Sequence, residues 1–333
     1  MKKDSRKENE QEHPEKQFIQ KIRTIWRAAA ALCILLWTGW CLLDAFVIPR
    51  DIVVQSEYSG EDSSSATPEA DAEAAPEADD SSIVLTDPVI TDTAYLDSRI
   101  SIEIRTMRTL STNVYIADIT LTDPGCVRTA LAENSFGRNV TDTTSSMAVQ
   151  NNAILAINGD YYGFRSSGYV MRNGYLYRSE PADDPEQEDL VHYPDGSFEI
   201  VREADVSARE LEEAGAVDIF SFGPGLIIDG EISVKTDDEV DRAQVTNPRT
   251  ALGVISPLHY LFIVSDGRTD ESTGLSLLQL AELMKELGCR TAYNLDGGGS
   301  STIWFNGRVL NRPTTFGDKI EERSLSDIIY IGS

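Results

Sequence analysis

The sequence predicts an α+β fold: a single globular domain, rich in mixed β-sheet and with few helices, preceded by a transmembrane helix and a disordered linker. Three observations carry this reading. From residue 99 onward, short apolar runs with two-residue alternation recur between Asn-Gly and Asp-Gly pairs. Only one stretch there has a strong helical period, and everything ahead of it has the composition of a membrane span or of a solvated tether. The chain thus divides into a basic cytoplasmic tail (1–27), a signal anchor (28–48), an acidic linker (49–98) and a folded domain (99–333).

The apolar run Ala28 to Ile48 carries one charge, Asp44. At about 1.5 Å per residue, such a helix crosses the roughly 30 Å hydrocarbon layer. Lys16, Lys21, Arg23 and Arg27 precede it, and the residues that follow are acidic apart from Arg50, so the positive-inside rule puts the N-terminus in the cytoplasm and the domain outside. A cleaved signal peptide and a buried core helix are the competing readings; the long n-region and the missing A-x-A-like site argue against the first, the flanking charge and linker against the second. Between Asp51 and Ser98 there is no Lys or Arg, and Glu61 to Ser82 offers almost no aliphatic surface to offset the entropy of ordering.

Within the domain, Ile100 to Ile104 and Asn113 to Leu121 alternate, Ala153 to Asn158 is nearly continuous apolar strand, and Ala251 to Ser256 with Tyr260 to Ser265 reads as a buried pair. Hairpin turns are expected at Asn173-Gly174, Asp195-Gly196, Asp229-Gly230 and Asn306-Gly307, which tolerate positive φ. The clearest helix starts at a Ser276/Gln279 capping box, presents Leu277, Leu280, Ala281, Met284 and Leu287 to the core, and stops at Gly288. Weaker helices are expected over Ser207 to Gly215 and Ser145 to Asn151.

A formal net charge of −26 excludes nucleic acid as a partner on electrostatic grounds, since phosphate-backbone binding needs clustered Lys and Arg. Three scattered histidines and no C-x-x-C argue against zinc; Cys126 and Cys289, in the exported part, are free to pair or to stay reduced. Polar or glycine-rich residues interrupt the strand pattern at AINGDYYG (Ala156 to Gly163), FSFGPGLIIDG (Phe220 to Gly230), NPRTALGV with VSDGR, and NLDGGGSS (Asn294 to Ser301). The last lacks the lysine of a P-loop and fails G-x-S-x-G at its final position. Asp266 to Gly274 is rich in oxygen ligands without EF-hand spacing, so a calcium site there stays open and no other cofactor is implied. What remains is three carboxylates, Asp160, Asp266 and Asp296, two arginines, Arg249 and Arg268, and a bare backbone with two hydroxyls. Carboxylates serve at an anomeric carbon, where positive charge develops, and guanidinium forks bind phosphate oxygens. Ordinary turn chemistry is the alternative for every Asp-Gly and Asn-Gly.

These stretches, together with GLSLLQLAELMKELGC and the terminal ERSLSDIIYIG, resemble in order and content the phosphodiester glycosidase family, whose lysosomal representative removes N-acetylglucosamine from a phosphodiester link to mannose and whose bacterial members are labelled exopolysaccharide-biosynthesis proteins. The resemblance runs from about Asn151 to the C-terminus. It implies hydrolysis between an anomeric carbon and phosphate, in a cleft faced by Asn158, Gly159, Asp160, Arg249, Thr250, Asp266, Arg268, Asn294, Asp296, Gly297, Gly298, Gly299, Ser300 and Ser301. Within that set Asp296 is expected at the sugar and Arg249 with Arg268 at the phosphate, Asp160 and Asp266 being reserve bases or calcium ligands. Anchor and linker point to a sugar-phosphodiester or polysaccharide substrate of the cell envelope; the rival class is a non-catalytic envelope protein that binds polysaccharide in the same cleft.

Overall fold

The computed structural model describes residues 53–54, 87–234, 246–316 and 319–332. The expected membrane span and most of the expected linker lie outside them; among the described residues no helix is long and apolar enough to cross a membrane.

The domain opens with a short hairpin, β1 (Val89–Ile90) and β2 (Ala94–Leu96), and a long one, β3 (Ile100–Thr109) and β4 (Thr112–Leu121). After β5 (Val127–Leu131), helix α1 (Thr144–Gln150) leads into β6 (Leu155–Asn158). Next come β7 (Val170–Arg172), β8 (Tyr175–Arg178), β9 (Glu188–His192), β10 (Phe198–Arg202), helix α2 (Ala208–Glu213) and β11 (Asp218–Phe220). The chain continues through β12 (Gly225–Ile228), β13 (Glu231–Ile232), β14 (Arg249–Ser256) and β15 (His259–Ser265) to helix α3 (Leu277–Glu286). It ends with β16 (Thr291–Leu295), β17 (Ile303–Phe305), β18 (Arg308–Val309) and β19 (Asp327–Ile331).

A nine-stranded sheet runs β13-β12-β16-β14-β15-β4-β3-β2-β1; two five-stranded sheets run β18-β17-β6-β19-β5 and β8-β7-β11-β9-β10. The layers follow from alternation. On β4, Val114 and Ile116 face one apolar cluster with Leu280, Ala281 and Met284 of α3, while Ala117, Ile119 and Leu121 face the main core, shared with Leu155, Ile157, Ile303 and Phe305 of the β6 sheet. The far side of that sheet meets Met147 and Ala148 of α1. The order is therefore helix, sheet, sheet, helix, and β4 is buried on both faces.

The helices start where their caps dictate: Ser276 and Ser207 each form a complete capping box, and Gly288 and Gly215 follow with φ of +95° and +89°. Three of the four expected turns have the paired positive φ of tight hairpins; at Asp195-Gly196 only Gly196 does, and the Asp195 carboxylate accepts from the Ser197 amide instead. Two expectations change. The sheet is not mixed: every strand pair among the described residues is antiparallel, both the tight hairpins, which can join strands in no other way, and neighbours distant in the chain such as β4 with β15 and β6 with β19. Residues 87–98, whose composition reads as linker, carry β1 and β2, and the Tyr95 ring is buried in the main core. Cys126 and Cys289 are both free and buried, in different clusters.

Candidate active site

Strand ends from the two packed sheets meet at one place. β6 ends at Asn158 and β16 at Leu295; the Asp296 amide donates to Gly159 O at 3.3 Å, and Asn158 Nδ2 donates to Asp296 O at 2.7 Å. Asn158 Oδ1 accepts from Thr250 Oγ1 at 2.7 Å and from the Thr302 amide at 3.2 Å. A fully buried Asn with both ends used thus ties β6, β14 and the loop after β16 together.

Asp296 stands at this junction, 7% exposed. Burial pushes its carboxyl up to about 6, against the downward pull of the Ser300 hydroxyl, the Arg323 charge and the Gly297 amide, and with a further upward push from Asp160. The triple glycine that follows is bare for two reasons. Gly298 has φ of +63°, and a Cβ there would lie 2.8 Å from an Arg268 terminal nitrogen; a Cβ on Gly299 would lie 2.8 Å from both an Arg323 nitrogen and the Thr315 Cα. Two guanidinium groups occupy the space that side chains would need. They are near enough that burial first, then Arg323, lowers the Arg268 pKa, opposed by Asp296. Arg268 Nε donates to Asn247 Oδ1 at 3.1 Å and Arg323 Nη1 to Ser300 Oγ at 3.5 Å; neither arginine forms an ion pair among the described residues. Arg268 is held at φ of +60°, a backbone conformation a non-glycine residue adopts at a cost of order 1–3 kcal/mol.

The loop's amides are largely self-satisfied: Gly298 donates to Pro248 O at 2.8 Å, Ser300 to Gly297 O at 3.3 Å and Ser301 to Gly298 O at 3.2 Å. Unmet demand lies in side chains. Asn294 Oδ1 and the hydroxyls of Ser301 and Thr302 are buried without a partner, although Asn294 Nδ2 donates to Gly223 O at 2.8 Å. Such orphans are rare and mark where water or a ligand completes the bonding.

The remaining sequence-derived residues sit differently. Asp160 is buried, accepting from Arg172 Nη2 at 2.8 Å, the Tyr162 amide at 2.8 Å and the Ser221 amide at 3.2 Å. Arg172 also reaches Asp327 Oδ2 through Nε and Nη2 at 2.8 and 2.6 Å. Burial lowers the Arg172 pKa, but the charges of Asp327 and Asp160 overcome it and raise the guanidinium further; burial raises Asp327. A Cβ on Gly159 would overlap the Asp327 carboxylate at 2.4 Å. Asp160 and Gly159 therefore belong to a buried ionic cluster behind the site. Arg249 Nε donates to Leu275 O at 3.0 Å. Asp266 has one carboxylate oxygen on the Arg312 amide at 2.8 Å and the other on the Tyr115 hydroxyl at 3.2 Å, and burial raises its pKa. Among the described residues no three His, Cys, Asp or Glu side chains gather as metal ligands.

The structure adds Arg172, Asp327 and Arg323 to the residues that the sequence points to. Asp327 and Arg323 lie in the terminal ERSLSDIIYIG stretch, whose motif order marks the family but assigns no role to its charges. Arg172 sits in a strand, next to an Asn-Gly turn, with no local signal of burial.

Comparison with known proteins sets this geometry in a class. The zebrafish N-acetylglucosamine-1-phosphodiester alpha-N-acetylglucosaminidase catalytic domain, auto-inhibited by its pro-peptide, superposes with a TM-score of 0.56 at 22% identity, covering 70% of this chain and 83% of that one. A hypothetical protein from Synechocystis gives 0.51 at 16%, covering 71% and 62%. At these identities the likeness shows a shared fold. The sequence goes a step further: the phosphodiester glycosidase family pattern matches residues 151–332, and the chain belongs to that family. Among curated relatives, the SPbeta prophage-derived uncharacterized protein YomE of Bacillus subtilis is 32% identical over 201 residues, 59% of this chain and 30% of that protein. The mouse N-acetylglucosamine-1-phosphodiester alpha-N-acetylglucosaminidase is 26% identical over 153 residues, 46% of this chain and 26% of its own length. The chain thus spans less than a third of the curated relatives it matches.

Proposed function

We propose that this chain is a hydrolase of glycosyl phosphodiesters: water adds to a sugar C1, the bond from C1 to the phosphate oxygen breaks, and a free sugar and a phosphomonoester leave. One observation carries the reading. Asp296, a carboxyl that burial raises to about 6, faces two guanidinium groups without ion pairs, Arg268 and Arg323, laid side by side on a glycine backbone. Two adjacent cations that form no ion pair among the described residues and share the influence of one buried carboxylate, Asp296, favour a further anion between them. An anion between them, with its ester-linked sugar over Asp296, satisfies all three.

In this arrangement Asp296, ionised, meets the positive charge that develops at C1, and the arginines hold the departing phosphate, which needs little protonation. Ser300 bonds to Asp296 and Arg323 and keeps the two in register. Asn294 Oδ1 and Ser301 Oγ supply an acceptor and a donor for sugar hydroxyls. Arg249 and Thr250 stiffen the wall through Leu275 O and Asn158. The apolar run of residues 28–48, with basic residues before it and acidic ones after, supports an anchored domain outside the cell and hence a surface polysaccharide or exopolysaccharide as substrate.

The test is release of free sugar from a panel of nitrophenyl-phosphodiester glycosides and nucleoside-diphosphate sugars. Loss of a preorganised cation or donor costs about 10²–10³ in turnover, so Arg323→Ala and Arg268→Ala should fall by that much and Asp296→Asn further. A panel left intact after long incubation would sink the hydrolase reading and leave the polysaccharide-binding one.

A further inference from the structure

Next to Asp160, four planar groups form one continuous stack. The Phe164 ring lies 4.8 Å from that of Tyr161, 21° from parallel. The Arg165 guanidinium carbon is 5.9 Å from the Tyr161 centroid and 5.1 Å from that of Phe222. Phe164 is 38% exposed, and Tyr161, Arg165 and Phe222 are half-buried. Nothing in the core requires this: none of the four belongs to a buried cluster, though Phe222 packs against the main one.

The stack is built. Asp160 Oδ1 holds the Tyr162 amide at 2.8 Å and its Oδ2 the Ser221 amide at 3.2 Å, so one buried carboxylate fixes both supporting loops. The Phe222 amide donates to the Tyr293 hydroxyl at 2.9 Å, and Arg165 Nη1 donates to Ser221 O at 2.9 Å. Arg165 forms no ion pair among the described residues, which leaves donors of its fork for a ligand. The stack joins the site through two short links: Tyr161 follows the Asp160 backbone, and Phe222 precedes Gly223, whose carbonyl Asn294 Nδ2 holds at 2.8 Å.

The geometry points to a second subsite, a saccharide platform made of Tyr161, Phe164, Arg165 and Phe222, which carries sugar units beyond the one whose C1 is cleaved. It rests on the hydrolase reading for its place in the reaction, not for binding. A pyranose ring has an apolar face of C–H groups and a polar rim, which suits an exposed aromatic ridge beside a guanidinium. A nucleobase would need a slot between two planes; here the inner planes are taken by one another, and the surface left open is the outer ring, Phe164, at 38% exposure, which one apolar sugar face can cover. A lipid chain would need an apolar groove without a charge in it. The ridge therefore selects glycosyl groups longer than a monosaccharide, and the chain acts best on oligo- or polysaccharyl phosphodiesters.

The experiment measures binding and turnover separately on the full chain. Neutral chito-, malto-, cello- and manno-hexaoses, with uridine as the base control, are titrated by calorimetry against the wild type, Phe164→Ala, Tyr161→Ala and Phe164→Trp. At least one hexaose should bind, Phe164→Ala and Tyr161→Ala should weaken it tenfold or more, and Phe164→Trp should retain it. Thermal midpoints for Phe164→Ala near wild type exclude misfolding, since that ring is partly exposed. In turnover, the preference for a hexaosyl over a monosaccharyl phosphodiester, as a ratio of kcat/KM, should drop by the same factor. No hexaose binding, uridine binding in its place, or hexaose binding indifferent to both alanine variants overturns the platform while hydrolysis of small phosphodiesters still stands. Hexaose binding lost in the variants, with no phosphodiester ever cleaved, keeps the platform and overturns the hydrolase.

Discussion

Asp296 and Arg172 show how far a single residue's chemistry depends on its surroundings. The Asp296 carboxyl is held near 6 by burial, and the proposed reaction uses it ionised, so kcat/KM should rise with pH through about 6 and level off above it. A pH profile that is flat from 4 to 8 contradicts this. The same shift has a stability sign. A carboxyl with a folded-state pKa above its unfolded value favours folding at low pH and loses that contribution as pH rises through the folded value. Asp296→Asn should therefore flatten the pH dependence of stability between about 4 and 6, where the slope from one such group reaches at most ~1.4 kcal/mol per pH unit. Arg172 is the opposite case. It is wholly buried between Asp160 and Asp327, and its Nη1 also reaches the carbonyls of Met171 and Ile219. Arg172→Ala strands two carboxylates, and breaking a buried pair from one side costs about 3–5 kcal/mol, readable in denaturant unfolding.

At the scale of elements, local rules account for most of what forms. Ser276 and Ser207 cap as their spacing requires, and Ser276→Ala should cost roughly 1 kcal/mol in unfolding free energy. The alternation of Ile100, Ile102 and Ile104 with polar neighbours puts β3 on the sheet with one face in. Local rules fail at β1 and β2. Their segment reads as tether because it is acidic and lacks Lys and Arg, yet β2 pairs with β3 and carries Tyr95 into the core, its hydroxyl 2.9 Å from the Asp97 carboxylate. A fragment starting at Arg99 loses that ring; since deleting a buried aromatic costs about 3–5 kcal/mol, its thermal midpoint should fall well below that of a fragment starting at residue 87. Equal midpoints would mean that β1 and β2 add nothing. The glycine loop is the second failure of local reading. Its bareness looks like room left for a ligand, but the room holds arginine side chains and the Thr315 backbone. Gly299→Ala should therefore lower stability as well as activity, because the Thr315 main chain cannot move aside as a side chain can.

For the molecule as a whole, the described residues are one β-rich body of stacked sheets with a helix on each outer face, and the site forms where strand ends of both sheets meet. Ligands collect at such junctions because the sheet edges there present polar backbone and side chains over a rigid base. The described residues form one compact unit. Expressed alone, that unit should be soluble, unfold in one cooperative transition and hydrolyse soluble substrates with the full chain's kcat/KM, while the full chain sediments with membranes. A full chain found in the soluble fraction would count against the anchor at residues 28–48.

The sequence alone determined the β-rich class, the helix caps, most of the turns and the family, and it singled out the strand ends that meet at the candidate site, because all of these are written in local periodicity, in glycine and asparagine turns, and in the order of short motifs. Pairing direction and the inclusion of β1 and β2 were decided by tertiary structure, since both depend on which strand lies alongside. Tertiary structure also separated the charged groups. Asp160 went to a buried cluster with Arg172, Arg249 turned to Leu275, and Arg323 came from near the C-terminus to lie beside Arg268. Charge is identical in sequence wherever it sits; only burial and the partners that the fold brings within a few ångströms determine whether a carboxylate is structural or reactive.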